Sequence, residues 1–91
     1  MAFADRVLSV VSRIKGGEVL TYGEVAARAG RPGAARAVGT LMRLAPRPGL
    51  PYHRVIAAGG KVGGYGGNTR LKIALLTAEG HVIRKGKIRK S

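Results

Sequence analysis

Apolar residues near the start of the chain recur at helical intervals. Phe3, Val7, Val10, Val11 and Ile14 share one face, with Arg6 and Arg13 off it, so the spacing predicts a helix from about residue 3 to 15. Gly16-Gly17 then supplies the left-handed stop common at helix ends. Thr21 followed by Glu24 reads as a capping box, each side chain satisfying the other's backbone N–H. It opens a short second helix over about Tyr22 to Ala29, closed at Gly30. Arg31-Pro32-Gly33 forms the next break, with Pro32 suited to a first helical turn. A third helix follows from about Gly33 to Leu44, with Ala35, Val38, Leu41 and Met42 as its buried stripe. Two short helices across a tight Gly/Pro turn form a helix-turn-helix pattern.

Ala45 to Pro51 holds Pro46, Pro48 and Pro51 and cannot be helical. It is expected to deliver Tyr52, His53 and Arg54 on an extended segment. Val55-Ile56-Ala57 reads as a short strand, with Gly59-Gly60 as a turn and Lys61-Val62 as its return. Gly63-Gly64-Tyr65-Gly66-Gly67 is a glycine loop. Asn68 or Thr69 begins a fourth helix with Leu71, Ala74, Leu75 and Ala78 facing inward, ending at Gly80. The segment from His81 to Ser91 is a basic tail or a small hairpin across Lys85-Gly86-Lys87. The expected fold is mainly α with a small β wing, a winged helix-turn-helix-like DNA-binding domain over residues 1–81 followed by the basic segment 82–91.

Composition sharpens this picture. Ninety-one residues make one small domain, large enough to bury roughly 60–65% of its unfolded surface. Hydrophobic residues reach 45%, with one Phe, three Tyr and no Trp, so the core must be aliphatic. Seventeen Lys and Arg oppose four Asp and Glu, a formal charge of +13, which points to nucleic acid ahead of an anionic membrane. Without cysteine there is no disulfide, thiolate metal site or thiol nucleophile. The start, with Asp5 and Arg6 inside an apolar rhythm, is unlike a signal peptide. No run approaches the ~18 apolar residues that cross a bilayer. The expectation is a monomer of the cytoplasm, nucleoid-associated when bound to DNA, with no cofactor.

The third helix carries the candidate chemistry. Arg36, Thr40 and Arg43 lie at i, i+4 and i+7 and form one stripe. Gly33 and Ala37 beside them are too small to hold a duplex away. An arginine leaving such a surface can fill the gap of an extruded base, joining stacking to charge. Arg28, Arg31, Arg47, Arg70, Lys72 and the tail cations Arg84, Lys85, Lys87, Arg89 and Lys90 add field without sequence information. The terminal cluster reads as an electrostatic arm.

Four segments, Thr21-Tyr22-Gly23-Glu24-Val25, Ala34-Ala35-Arg36-Ala37-Val38-Gly39, Pro51-Tyr52-His53-Arg54-Val55 and Glu79-Gly80-His81, occur in an order and spacing that resembles the O6-alkylguanine-DNA alkyltransferase family. The likeness covers about residues 3 to 81, without the additional N-terminal domain of many alkyltransferases. Tyr52 stands where that family carries its alkyl-acceptor cysteine, so the chain resembles the alkyltransferase-like proteins, which have Trp, Ala or another residue there. The resemblance implies that Arg36 is the intercalating arginine and that Tyr22 crowds the 3′ phosphate as the base rotates outward. It implies that the helix bearing Arg36 binds the minor groove. Met42, Arg43, Val55, Val62, Gly63 and Tyr65, with Tyr22 and Tyr52, would line the lesion pocket. His53 and Glu79 resemble the pair that activates the cysteine through a water, here a vestigial network. Two departures stand out: the family's asparagine hinge appears as Ala45, and Gly64 and Gly66 replace larger polar residues of the pocket loop.

Dealkylation needs a polarisable nucleophile, and a thiolate serves because its pKa lies near ambient pH. A phenol is almost wholly un-ionised there, and its oxygen is a harder alkyl acceptor. Tyr52 is therefore given a pocket-lining role, with no catalytic residue and no enzymatic activity expected. The expected function is a DNA-damage sensor that flips O6-alkylguanine from duplex DNA into a pocket. By the resemblance, it then signals to nucleotide excision repair proteins. Two alternatives remain: a winged-helix transcriptional regulator of undamaged DNA, and an enzyme removing the adduct through Tyr52 or a water.

Overall fold

The computed structural model describes residues 2–44, 49–62 and 69–89. Helix α1 spans Phe3–Ser12 and buries Val7 and Val11. It stops short of residue 15. Arg13 closes the last turn, Gly17 takes φ 87°, and the Ile14 carbonyl accepts a bond from Arg54 Nη1 at 2.8 Å. Strand β1, Leu20–Thr21, leads directly into helix α2, Tyr22–Arg28. The capping box forms as expected: Thr21 Oγ1 accepts from the Glu24 N–H at 3.0 Å, and Glu24 Oε1 accepts from the Thr21 N–H at 2.8 Å.

Helix α3 spans Ala35–Leu44, with Val38 and Gly39 buried. It begins two positions later than the spacing suggests because Gly33 has φ 91°, outside the right-handed helical region. Pro32 therefore sits in the preceding turn and not in the helix. Val7, Val11, Ile14, Leu20, Tyr22, Val25, Ala26, Ala29, Val38 and Val55 form the larger core cluster, where α1, α2 and α3 meet.

Tyr52–Arg54 is a turn of 3₁₀ helix, not the extended segment expected from the prolines. Strand β2, Val55–Ile56, pairs in parallel with β1, Leu20 opposite Val55 and Thr21 opposite Ile56. The expected hairpin between Val55–Ala57 and Lys61-Val62 is reduced to a tight turn, with the Ala57 N–H donating to the Lys61 carbonyl at 2.8 Å. The remaining strand edge went to a distant partner. A two-residue strand, Leu20–Thr21, carries no period from which β1 could be read.

Helix α4, Thr69–Ala78, faces the other way from the expectation. Leu76 is fully buried, whereas Leu71 is 55% and Leu75 39% exposed; Ala74 and Ala78 are exposed as well. The inward stripe is Lys72, Leu76 and Glu79, at i, i+4 and i+7. Its two polar members are anchored, Lys72 to the Val55 carbonyl and Glu79 to Arg54. Leu76 lies in the second core cluster and Ile73 packs against it, so apolar burial and the two anchors hold the same side inward.

Strands β3, Val82–Arg84, and β4, Lys87–Arg89, form the hairpin read in the terminal segment. Its two-residue turn has φ 51° at Lys85 and 74° at Gly86, the left-handed pair that matches hairpin twist. Ile83 and Ile88 pack on the second cluster of Ile56, Val62 and Leu76. Gly60 lies against the backbone of β4, where a Cβ would meet the Ile88 carbonyl at 3.2 Å.

Candidate DNA interface and lesion pocket

Burial of Val38 fixes the opposite side of α3 as its free face. Arg36, Ala37 and Arg43 are exposed there and Thr40 is half-buried, so the expected stripe exists in space. Neither arginine has an ion-pair partner among the described residues. Gly33 is exposed with nothing within 4 Å of a Cβ position. Its role in the free protein is the left-handed turn into α3.

The other candidates separate into reachable and enclosed groups. Tyr52 and Met42 are half-buried and pack on the larger cluster, leaving part of each side chain to a ligand. Tyr22 is only 6% exposed, so most of its ring is core. Val55 and Val62 are 0% and 1% exposed, enclosed in the free protein. Gly63 and Tyr65 lie outside the described residues, as do Ala45, Gly64 and Gly66.

Beneath the Tyr52–Arg54 turn lies a polar network. His53 Nε2 is 3.1 Å from Glu79 Oε1. Arg54 Nε donates to both Glu79 oxygens, at 3.1 and 3.0 Å, and its Nη2 bonds to Glu79 Oε2. The hydrogen bond from Arg54, helped by that from His53, holds the Glu79 carboxyl down at a pKa of about 2 against the ordinary 4.5. The same bond raises the Arg54 pKa. An ionised carboxylate only accepts, so the His53 Nε2 carries the proton, and a neutral ring then has its lone pair on Nδ1. The expected pairing of His53 with Glu79 is therefore present. Arg54, not among the expected site residues, binds Glu79 more extensively than His53 does. An arginine directly after the histidine of the third motif was the available signal.

Lys72 was also misjudged as surface field. Its Nζ donates to the Val55 carbonyl at 2.6 Å and lies 5.8 Å from the centre of the Tyr22 ring. Burial lowers its pKa. The cation is thus held between β2 and the ring of Tyr22. Arg31, expected to add field, stacks over Phe3 at 4.9 Å.

The description "6-O-methylguanine DNA methyltransferase, DNA binding domain" matches residues 2–81. The human methylated-DNA–protein-cysteine methyltransferase is 46% identical over 86 residues, which are 92% of this chain and 42% of that protein. The enzyme of the same name from Methanothermobacter thermautotrophicus is 50% identical, over 86% of this chain and 44% of its own length. The chain thus spans about half the length of these curated relatives. Among solved structures, Schizosaccharomyces pombe Atl1 in complex with damaged DNA containing O6-carboxymethylguanine matches with a TM-score of 0.83 and 33% identity, over 98% of this chain and 88% of that one. The Mycobacterium tuberculosis OGT–DNA complex matches with a TM-score of 0.77 and 46% identity, over 87% of this chain and 50% of that one.

These relatives correct one expectation. The absence of an alkyl-acceptor cysteine was read as absence of enzymatic activity, yet the curated relatives at 44–50% identity carry the name of an enzyme. What stands is narrower: the chain contains no cysteine, so the residue for which those enzymes are named is missing from it. With the match running from residue 2 to 81, the chain belongs to the 6-O-methylguanine DNA methyltransferase family and carries that family's DNA-binding domain.

Proposed function

We propose that the protein recognises O6-alkylguanine in duplex DNA, turning the damaged nucleotide out of the stack toward Tyr52 while Arg36 occupies the space it leaves. One observation carries this reading. The free face of α3 presents Arg36 and Arg43 beside Ala37, on a fold that follows S. pombe Atl1 bound to damaged DNA over 98% of the chain. Arg36 combines a flat guanidinium able to stack with a charge able to meet phosphate. The small neighbour lets the helix approach closely. Tyr52 and Met42, half-buried on the same core cluster as α3, offer a ring and a thioether to an extruded purine. Extrusion costs a few kcal/mol, least for a base that pairs poorly, so the lesion itself contributes selectivity. A nucleotide excision repair protein as the downstream partner belongs to the same reading, on the family resemblance alone.

The test is a titration of one O6-methylguanine duplex and its unmodified twin at near-physiological salt. Unmodified DNA should bind in the non-specific range, roughly 10⁻⁴–10⁻⁶ M, and the lesion duplex at least tenfold tighter. Equal affinities would remove the basis for damage recognition.

A further inference from the structure

Away from α3, the sheet edge carries a second concentration of charge with its own geometry. In the β3–β4 hairpin Arg84 stands directly opposite Lys87. On the far side of β4, Lys87 stands opposite Lys61 through an antiparallel bridge. Residues directly opposite one another in a sheet share a face, so Lys61, Lys87 and Arg84 form one row across three adjacent segments. Adjacent segments lie about 4.8 Å apart, giving a row about 10 Å wide. All three residues are exposed, and none has an acidic partner among the described residues. Lys85 extends the charge at the turn, where it is the one non-glycine residue with positive φ among those described.

This arrangement works against the free protein. Like charges directly opposite destabilise a strand pair, and lysine is not among the residues that favour the left-handed turn position. The apolar side of the hairpin, Ile83 and Ile88, is meanwhile held on Ile56, Val62 and Leu76, so the row sits on packed strands and not on a loose arm. The hairpin carbonyl of Gly86 accepts from the Val62 N–H at 2.9 Å, which ties the hairpin to the Lys61-Val62 segment.

We propose that Lys61, Arg84 and Lys87, with Lys85 at the turn, form a second phosphate-binding surface that grips the DNA backbone independently of the α3 face. This rests on the reading of the protein as a duplex-DNA binder. One strand of DNA presents a charge every 3.4 Å of axis, so a 10 Å row of cations matches about three successive phosphates. The surface supplies affinity common to damaged and undamaged DNA, whereas discrimination stays with α3 and Tyr52.

The test is the triple variant Lys61→Gln, Arg84→Gln, Lys87→Gln, with affinity for the unmodified duplex measured across a salt series. Each lost phosphate contact lowers the slope of log K against log salt by about 0.9, so the slope should become shallower by about 2 to 3. The lesion-to-unmodified affinity ratio should stay within threefold of wild type. Melting temperature at low salt should rise, because the variant relieves repulsion in the free protein; unfolding therefore cannot imitate the effect. Lys85→Asn, which keeps a residue suited to the turn, should lower the slope by about 1. An unchanged slope in the triple variant would overturn the proposal, including the case in which the row serves an acidic protein instead. If wild type fails to prefer the lesion duplex while the slope still changes, damage recognition falls and the second surface stands.

Discussion

Glu79 takes bonds from His53 and from Arg54, and Arg54 also reaches back to the Ile14 carbonyl. The carboxylate is thus a structural charge, and its effect on stability has a defined sign. Its pKa is lower in the folded protein than the ordinary 4.5, so its stabilisation is complete above about pH 4.5 and is lost as pH falls toward about 2. Replacing it with glutamine should lower the melting temperature at neutral pH. The gap from wild type should narrow through that acid interval; a gap constant with pH would contradict the ion-pair account. Arg36 is the opposite kind of residue, exposed and without structural duty. Arg36→Ala should leave the melting temperature within a degree or two. It should abolish most of the preference for the lesion duplex, while much salt-sensitive background binding survives. Equal lesion affinity in variant and wild type would contradict its role.

Among the elements, those specified by neighbouring residues were legible and those specified by distant ones were not. The capping box placed the start of α2 to the residue, because donor and acceptor lie three positions apart. Thr21→Ala should cost about 1 kcal/mol, read from the shift of a denaturant midpoint with unchanged m-value. The hairpin was legible across Lys85-Gly86-Lys87, although Lys87 belongs to β4 and not to the turn, and the free face of α3 was legible in its arginine spacing. By contrast, β2 looked like half of a local hairpin until its true partner, β1, was known. The orientation of α4 was not legible, because apolar periodicity assigns leucines inward, whereas Lys72 and Glu79 bond to the Val55 carbonyl and to Arg54. At the site, the α3 stripe and the His53–Glu79 pair were visible in sequence. The enclosure of Val55 and Val62 was not, since a valine in a short strand gives no hint of which side is covered.

For the whole molecule, the four acids are too few and too committed to balance seventeen cations. Glu18 accepts from the Lys15 N–H, Glu24 serves the α2 cap, Glu79 holds Arg54, and Asp5 sits in the first turn of α1. The cationic surface therefore repels itself until an anion arrives. Raising salt from about 50 to 200 mM screens that repulsion but also weakens contacts to phosphate. The melting temperature of the free protein should rise over this range while DNA affinity falls steeply; parallel trends would show that surface repulsion is not significant.

The parallel pairing of Leu20–Thr21 with Val55–Ile56 has a bearing on the order of assembly. Helical turns in the first half can form from local contacts, but this junction waits until the intervening chain has looped back, and non-local closure of that kind is slow. The turn that begins at Tyr52 runs directly into it. A molecule caught before the junction forms still holds every positive side chain, and so can coat nucleic acid, yet its tyrosine has no fixed place. On the proposed reading, discrimination between damaged and intact DNA would then be acquired only when this junction closes.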